Sequence, residues 1–301
     1  MNVDQLNSRF GAPGRIVFHD GFAGYPNVAI ACKYGAAEIA LLGANVLSYR
    51  PTGQSEVLFR PAKRVYNRGE NVHCGVPVCW PQFGNRFAPS LPQHGFVRKL
   101  VWEVRGTEYT EEKTEVRLGL RSDAETLKLW PHAFDLEYVV SVSMKLNLTL
   151  KTTNVGDKPF DFSCGFHPYF LVRDRNGVTV KGLADCGYVD ASGDVAVEGR
   201  QAGDIAFTKG YDHIFAMAPK PKHEYAILDA GLKRAIALVS SGNTKTVVWN
   251  PDTAYVVDDH GPEDWRHFVC IEPVSDWPGG QTLAPGASYE LMAAVQGTLE
   301  N

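Results

Sequence analysis

The sequence lacks the features that mark membrane, secreted and nucleotide-binding proteins. No stretch approaches the roughly 20 consecutive apolar residues of a membrane-spanning helix. Residues 1–6 have neither the basic start nor the apolar run of a signal peptide. P-loops, Gly-x-Gly-x-x-Gly loops, Gly-x-Ser-x-Gly elbows and His-Glu-x-x-His zinc motifs are also absent. These absences favour a cytoplasmic protein and remove the usual support for nucleotide-binding, serine-hydrolase and zinc-protease functions.

Excess positive charge and paired cysteines are lacking as well. Lys and Arg number 30 against 34 Asp and Glu, a formal net charge of −4, so we expect no nucleic-acid partner. None of the six cysteines forms a Cys-x-x-Cys pair, and we expect reduced thiols because a chain of 301 residues can build a large core without disulfides. The nine histidines are dispersed, so we expect no metal site.

What the sequence does contain is regular alternation of apolar and polar residues. Between Tyr138 and Lys151 every second residue is apolar, and the pattern recurs over 115–121 and 289–295. A period of two predicts strands with one buried and one solvated face. We predict that residues 138–151 form a single long strand. Only Asp123–Trp130 suggests a short helix. We predict an all-β fold, a large antiparallel β-sandwich that forms one domain over residues 1–301.

Four segments concentrate reactive side chains among glycine, proline and aromatic residues. They are residues 75–84 with 91–98, residues 162–170, residues 211–215, and residues 247–251 with 270–273. In order and spacing they resemble the aldose 1-epimerase (galactose mutarotase-like) superfamily, and within it the D-hexose-6-phosphate mutarotases. The resemblance extends from about Ala37 to about Gly286, and its strength lies in the ordered set of motifs.

The resemblance implies a fold and a reaction. The fold is the galactose mutarotase-like supersandwich, and the reaction interconverts the α and β anomers of a sugar. A base removes the proton from the C1 hydroxyl while an acid protonates the ring oxygen, and the two reverse roles when the ring closes. Each group can contribute roughly 10²–10⁴-fold in rate. The resemblance implies no metal or cofactor, a sugar or sugar phosphate as ligand, and a monomer. The lack of a long apolar stretch leads us to expect no membrane contact.

Two residues match the family's base and acid. Glu272 resembles the general base; because it precedes Pro273, we expect it at a strand end, in an apolar setting that raises its pKa. His167 resembles the general acid, and imidazole, with a pKa of about 6.5, readily gains and loses a proton. Pro168 stands where the family usually has threonine, so the local hydrogen bonding must differ. Without the resemblance, His167 fits a packed core equally well.

Further residues match sugar-binding positions of the family. His94, in a Pro-Gln-His-Gly motif, would hydrogen-bond a sugar oxygen. Asp212 would accept hydrogen bonds from sugar hydroxyls, and Gln82 is expected to contact the substrate as well. Arg98 matches an arginine that binds phosphate. For His94 and Asp212 a plain turn role is the alternative.

Phosphate recognition is where the sequence departs from the family pattern. His73 stands where the resemblance implies a second arginine, and imidazole is a weaker clamp than a bidentate guanidinium. We still expect His73 to contact the substrate. Nearby basic residues either compensate or form a solvated loop; these are Arg60, Lys63, Arg64, Arg68 and Arg86. Three tryptophans either stack on the sugar or lie in the core; these are Trp80, Trp249 and Trp277.

Three functions stay open at this point. The leading hypothesis is a mutarotase for a hexose 6-phosphate, and its alternatives are a mutarotase for a different or unphosphorylated sugar and a non-catalytic carbohydrate-binding sandwich. The acidic run over residues 258–264 lacks the spacing of an EF-hand, so we interpret it as a solvated loop rather than a cation site.

Overall fold

Antiparallel strands account for most of the molecule, and helix is confined to short segments. The computed structural model describes residues 1–61, 72–85, 88, 90–253, 257, 259–275 and 280–299. The helices are α1 (Val3–Phe10) and α2 (Ala124–Leu129), with 3-10 turns at Phe22–Gly24, Val97–Lys99, Arg175–Gly177 and Asp264–His267. No helix within these described ranges is long and apolar enough to cross a membrane.

The strands are numbered in chain order. The first twelve are β1 (Ile16–Asp20), β2 (Pro26–Cys32), β3 (Gly35–Ala40), β4 (Val46–Pro51), β5 (Val78–Cys79), β6 (Glu103–Tyr109), β7 (Thr114–Arg121), β8 (Phe134–Val142), β9 (Leu146–Asn154), β10 (Phe160–Phe162), β11 (Cys164–Phe166) and β12 (Tyr169–Leu171). The others are β13 (Val178–Lys181), β14 (Gly187–Asp190), β15 (Val197–Arg200), β16 (Ile205–Ala206), β17 (Tyr211–Ala216), β18 (His223–Asp229), β19 (Arg234–Ser241), β20 (Lys245–Asn250), β21 (Phe268–Ser275), β22 (Gln281–Leu283) and β23 (Ser288–Leu299).

Two large sheets form the body of the molecule. One has the strand order β16-β13-β18-β19-β23-β9-β8-β7-β6, and the other has the order β15-β14-β17-β20-β21-β11-β5 with β12 also paired to β21. A smaller sheet has the order β1-β2-β3-β4, and β10 pairs with β22. Neighbouring strands run antiparallel. This topology confirms the predicted all-β, antiparallel fold.

The two large sheets face each other across an apolar core. Tyr138 of β8 packs on Phe166 of β11 with ring centroids 5.7 Å apart. The Tyr225 hydroxyl of β18 lies 2.6 Å from the Thr246 hydroxyl of β20. Strand β9 alternates buried and half-buried residues along its full length, as expected of a strand with one face in the core. The molecule is therefore the large β-sandwich that the sequence predicts.

Two local predictions were wrong. The alternating segment over residues 138–151 is a hairpin: β8 ends at Val142, β9 begins at Leu146, and Met144 is 61% exposed at the turn between them. The alternation of apolar and polar residues continues through this turn, so the sequence pattern gave no sign that the strand ends there. Helix α1 was missed, although Asn2 and Gln5 cap it reciprocally through side chain and backbone. The short helix predicted over 123–130 is confirmed as α2.

Strand β21 is buried along its whole length and carries the candidate site. Val269 and Ile271 pack in the sandwich core, whereas Cys270 packs with Tyr169 in a separate cluster on the opposite face. Because side chains alternate along a strand, Glu272 projects from the same face as Cys270. The prediction of a strand end at Glu272 is wrong, since β21 continues beyond it.

Candidate active site

His167 and Glu272 meet at the base of the site. His167 lies in the turn between β11 and β12, where its backbone N–H donates to the Pro77 carbonyl at 3.0 Å. Its Nε2 lies 3.4 Å from Glu272 Oε2. His167 is 9% exposed and Glu272 is 1% exposed. The fold thus brings the two residues that the sequence assigned to acid and base into direct contact.

Aromatic rings surround this pair. Tyr169 stacks on His167 with ring centroids 4.8 Å apart, and Trp249 of β20 contacts the same imidazole edge-on at 5.7 Å. Phe83 lies parallel to it at 6.5 Å. The rings bury the acid–base pair, and a low local dielectric strengthens electrostatic interactions there.

The three tryptophans differ in their placement. Trp249 lies beside the acid–base pair. Trp80 is fully buried and packs on Phe134 and Trp130 at 4.4 and 5.0 Å, so it belongs to the core. Trp277 lies outside the described residues.

Burial moves the pKa values of the pair in opposite directions. The pKa of Glu272 is raised well above 4.5, first by loss of solvation and then by the negative charge of Asp212. The pKa of His167 is lowered well below 6.5, first by loss of solvation and then by neighbouring groups that carry positive charge when protonated, namely His94, Arg98 and His73. Both groups are pushed towards their neutral forms. The upward direction for Glu272 confirms the prediction from its apolar setting.

His94 is a neutral hydrogen-bond donor beside the pair. Its ring centroid is 5.5 Å from that of His167. The Gly84 N–H donates to His94 Nδ1 at 3.2 Å, so the ring proton resides on Nε2. Burial, followed by the charges of Arg98 and His73, lowers the pKa of His94 to about 3. His94 therefore offers an N–H donor without carrying charge.

Gln82 braces the loop that carries His94 and is fully buried. Its Nε2 donates to the carbonyls of Leu91 and Pro92 at 3.2 and 3.0 Å, and its Oε1 accepts the Ala88 N–H at 2.9 Å. Both amide protons are therefore committed to backbone carbonyls. This corrects the expectation of a substrate contact: in this structure Gln82 holds the loop and is not open to the cleft.

Gly95 should tolerate no side chain, because it fixes the turn behind His94. Its φ is +74°, and an added Cβ would lie 1.9 Å from the Trp80 carbonyl oxygen. Gly14 has the same φ with nothing within 4 Å. Gly14→Ala should lower the free energy of unfolding by about 1–2 kcal/mol, the cost of a left-handed alanine. Gly95→Ala should lower it by clearly more in urea unfolding, and equal losses would contradict this account of the turn.

Asp212 and Arg98 lie within electrostatic range of the pair. Asp212, on β17, pairs in register with Trp249 of β20, and its charge acts on Glu272. Arg98 lies in the 3-10 turn Val97–Lys99 and donates from Nη2 to the Gln93 carbonyl at 2.9 Å. Its charge acts on His94, and its side chain lines a cavity together with Pro77. The structure thus places both residues around the acid–base centre.

The basic residues expected to hold phosphate are only partly described. His73 lies within electrostatic range of His94, and its side chain is 26% exposed. Arg60 pairs with Glu38 at 3.1 Å, so its charge is already compensated. The remaining candidates lie outside the described residues; these are Lys63, Arg64, Arg68 and Arg86.

The family model described as aldose 1-epimerase matches residues 28–295. The chain belongs to the aldose 1-epimerase family. A relative from Cenchrus ciliaris, named "putative glucose-6-phosphate 1-epimerase", is 32% identical over 86% of this chain and 80% of its own length. A relative of the same name from Escherichia coli (strain K12) is 31% identical over 78% of each chain. The crystal structure of a "putative mutarotase" from Salmonella typhimurium has a TM-score of 0.87 and 26% identity, covering 99% of both chains.

The chain is thus an epimerase, and three of its cleft side chains could also hold a metal. One ligand atom each from His167, Cys270 and Glu272 lies within 4.8 Å of the others, all buried. A nitrogen, a sulfur and a carboxylate oxygen are ligands that zinc accepts. Burial raises the pKa of both Cys270 and Glu272, which disfavours the deprotonated ligands that a metal needs. The anomer exchange expected of this epimerase requires acid–base chemistry at the same atoms.

Several residues of the epimerase site were not identified from the sequence. Phe83 and Tyr169 were noted only as members of motifs, and Cys270 was assigned no role. Asp259 was placed in a solvated acidic loop, but this interpretation is wrong: it is 8% exposed and bonds to His73. The sequence did hold one signal that Asp259 is not a simple solvated residue: it lies next to His260, in a segment that also contains glycine and proline.

Proposed function

We propose that this epimerase interconverts the α and β anomers of a hexose 6-phosphate by general acid–base ring opening and closure. The observation that carries the proposal is the buried contact of 3.4 Å between His167 Nε2 and Glu272 Oε2. Arg98 and His73 support a phosphorylated substrate, because both lie within electrostatic range of His167 and a guanidinium can pair with phosphate through two hydrogen bonds. The names of the two relatives, both glucose-6-phosphate 1-epimerases, point to the same substrate class.

In the proposed reaction one proton leaves O1 of the sugar and another arrives at the ring oxygen. Glu272 and His167 hold one proton between them; in the form with that proton on His167, the Glu272 carboxylate accepts the proton of the C1 hydroxyl while the His167 imidazolium donates from Nε2 to the ring oxygen. The C1–ring-oxygen bond breaks and the C1=O1 double bond forms. Rotation about C1–C2 exposes the other face, and the reverse transfers close the ring. Loss of solvation raises the pKa of Glu272, which makes its carboxylate a stronger base in the cleft.

The surrounding side chains orient the sugar in this proposal. His94 donates from Nε2 to a sugar oxygen, because its Nδ1 already accepts from Gly84. Asp212 accepts hydrogen bonds from sugar hydroxyls. Trp249 and Tyr169 form apolar walls next to the reacting centre. Each group holds the ring so that C1 lies against the acid–base pair.

The test of the proposed function is anomer exchange measured by NMR on a panel of hexoses and their 6-phosphates. Acceleration is expected for a hexose 6-phosphate, with a higher kcat/KM than for the matching neutral hexose. A higher kcat/KM for the neutral hexose would assign the enzyme to unphosphorylated sugars. Binding of a 6-phosphate without faster exchange would identify a carbohydrate-binding protein without turnover.

Arg98→Met should raise KM for the hexose 6-phosphate and leave KM for a neutral hexose nearly unchanged. A hydrogen bond between charged groups contributes about 1.5–3 kcal/mol, which corresponds to roughly a 10- to 100-fold change in KM. Lys99→Met removes the same charge from the neighbouring residue of the same 3-10 turn and is the matched control. Equal effects of both variants, or equal effects on both sugars, would argue against a phosphate contact at Arg98.

We further propose that the chain is a single domain that works as a monomer in the cytoplasm. One cluster of buried apolar residues extends from Leu6 to Val295, which supports one domain. All six cysteines are free, and five of them are buried, with Cys186 half-buried, which supports a reducing compartment.

A further inference from the structure

His73 is tied to Asp259 by two hydrogen bonds. The His73 backbone N–H donates to Asp259 Oδ2 at 2.9 Å, and His73 Nδ1 lies 2.7 Å from Asp259 Oδ1. The backbone of His73 is held from the other side as well, since His260 Nε2 lies 2.6 Å from its carbonyl oxygen. The imidazole is thereby fixed in position and in orientation.

These contacts determine which ring nitrogen carries the proton. A carboxylate can only accept hydrogen bonds, so Nδ1 must be the protonated nitrogen that faces Asp259. Asp259 stays ionised: burial raises its pKa, but the hydrogen bonds from His73 outweigh this and lower it overall. In the neutral imidazole Nε2 therefore carries a lone pair, which repels phosphate oxygens. Nε2 becomes a donor only when the ring carries a second proton.

Resting on the proposed function, we propose that His73 binds the substrate phosphate and that this contact requires one proton shared between imidazole and phosphate. Either the imidazolium donates to the phosphate dianion, or a phosphate monoanion donates to Nε2. Once both groups have lost that proton, the lone pair of Nε2 meets a dianion. Asp259 is a positioning residue, because it selects the nitrogen that faces the substrate.

The surroundings of His73 fit a site for a phosphate group. Arg98 and His73 both lie within electrostatic range of His94 and His167, so the Arg98 guanidinium and the His73 ring converge on the same part of the cleft. Asp259 and His260 lie next to His73 as well. An arriving phosphate brings its negative charge close to the Arg98 guanidinium. Among the described residues no partner occupies His73 Nε2.

The test is the pH dependence of KM between pH 6 and 9, for a hexose 6-phosphate and for the neutral hexose. Above about pH 7, where a phosphate monoester is dianionic and free imidazole is neutral, KM for the 6-phosphate should rise up to tenfold per pH unit. KM for the neutral hexose should not change with pH. If Arg98 alone held the phosphate, KM would instead fall or stay constant as the dianion forms.

Two variants test the roles of His73 and Asp259. His73→Arg supplies a permanent donor and should flatten the pH dependence of KM; His19→Arg, which adds the same charge on β1, should leave it unchanged. In Asp259→Asn the amide oxygen can accept from the His73 backbone while the amide nitrogen donates to Nδ1. The neutral ring then carries its proton on Nε2, which ¹⁵N NMR of His73 reports directly, and the rise of KM should weaken.

The outcomes separate this inference from the function on which it rests. Exchange of a 6-phosphate with a KM that does not rise above pH 7 refutes the role of His73 and leaves the proposed function standing. The same refutation follows if KM of the neutral hexose rises equally, or if His73→Arg keeps the wild-type profile. Exchange of neutral hexoses alone refutes the proposed function and the phosphate contact together.

Discussion

Glu272→Gln should lower kcat for anomer exchange by about 10²–10⁴-fold, the usual contribution of a general base. The amide has nearly the same shape as the carboxylate but cannot accept a proton from the C1 hydroxyl. Glu115→Gln is the matched control, because Glu115 is another largely buried glutamate that lies on β7, in the opposite sheet from β21. Exchange of a hexose 6-phosphate, followed by NMR, measures the effect.

The same substitution should raise stability at alkaline pH. A carboxyl whose pKa is higher in the folded than in the unfolded state binds its proton more tightly when folded. Its contribution to stability is therefore complete below the unfolded pKa and is lost as pH rises through the folded pKa. Because the pKa of Glu272 is raised well above 4.5, the wild type should lose stability with rising pH above that value. The amide introduced by Glu272→Gln does not titrate, so the variant should lose less in urea unfolding.

Activity and stability together make the prediction on Glu272 decisive. If Glu272→Gln is as stable as wild type but inactive, the loss of activity comes from the missing base and not from unfolding. Full activity in Glu272→Gln would remove the base from the proposed reaction, and a variant that loses stability as steeply as wild type between pH 5 and 9 would contradict the raised pKa.

The sequence predicted the strands better than their arrangement. Alternation identifies a strand because burial has a period of two along it, and β7 and β9 carried that signal clearly. It cannot show which strands are neighbours. Strand β21 lies between β20 and β11, and this placement depends on contacts between residues far apart in the chain. The turn that divides the 138–151 segment left no mark in the alternation, because Met144 is an apolar residue that projects into solvent.

The sequence identified the residues of the site but not their environment. His167 and Glu272 were recognised through family motifs, whereas the 3.4 Å contact between them is a product of strand pairing in the sheet. Gln82 shows the opposite case: a polar residue within a functional motif supports the backbone of its neighbours. The hydrogen bond between His73 and Asp259 could not be predicted from the sequence. His73 departs from the family pattern, and Asp259 belongs to an acidic loop whose composition suggests exposure to solvent.

His167→Ala should lower kcat by about 10²–10⁴-fold, the usual contribution of a general acid. The ring oxygen would then depend on water for its proton, in a part of the cleft that aromatic rings bury. His223→Ala is the matched control, since His223 is a similarly buried histidine at the start of β18, in the other large sheet. It should lose stability without losing comparable activity.

Chemical rescue distinguishes a buried histidine that acts as the general acid from one that only supports the structure. In His167→Ala the space beside Tyr169 has the shape of the missing ring, because that imidazole stacks on the phenol at 4.8 Å. Added imidazole should enter it and restore part of kcat, increasingly so as its concentration rises, and should raise the free energy of unfolding only by the amount that its binding to the folded state adds. If His167 had a purely structural role, added imidazole would raise stability without restoring kcat. Normal exchange in the unrescued variant would leave Glu272 without its partner acid and would overturn the two-group reaction.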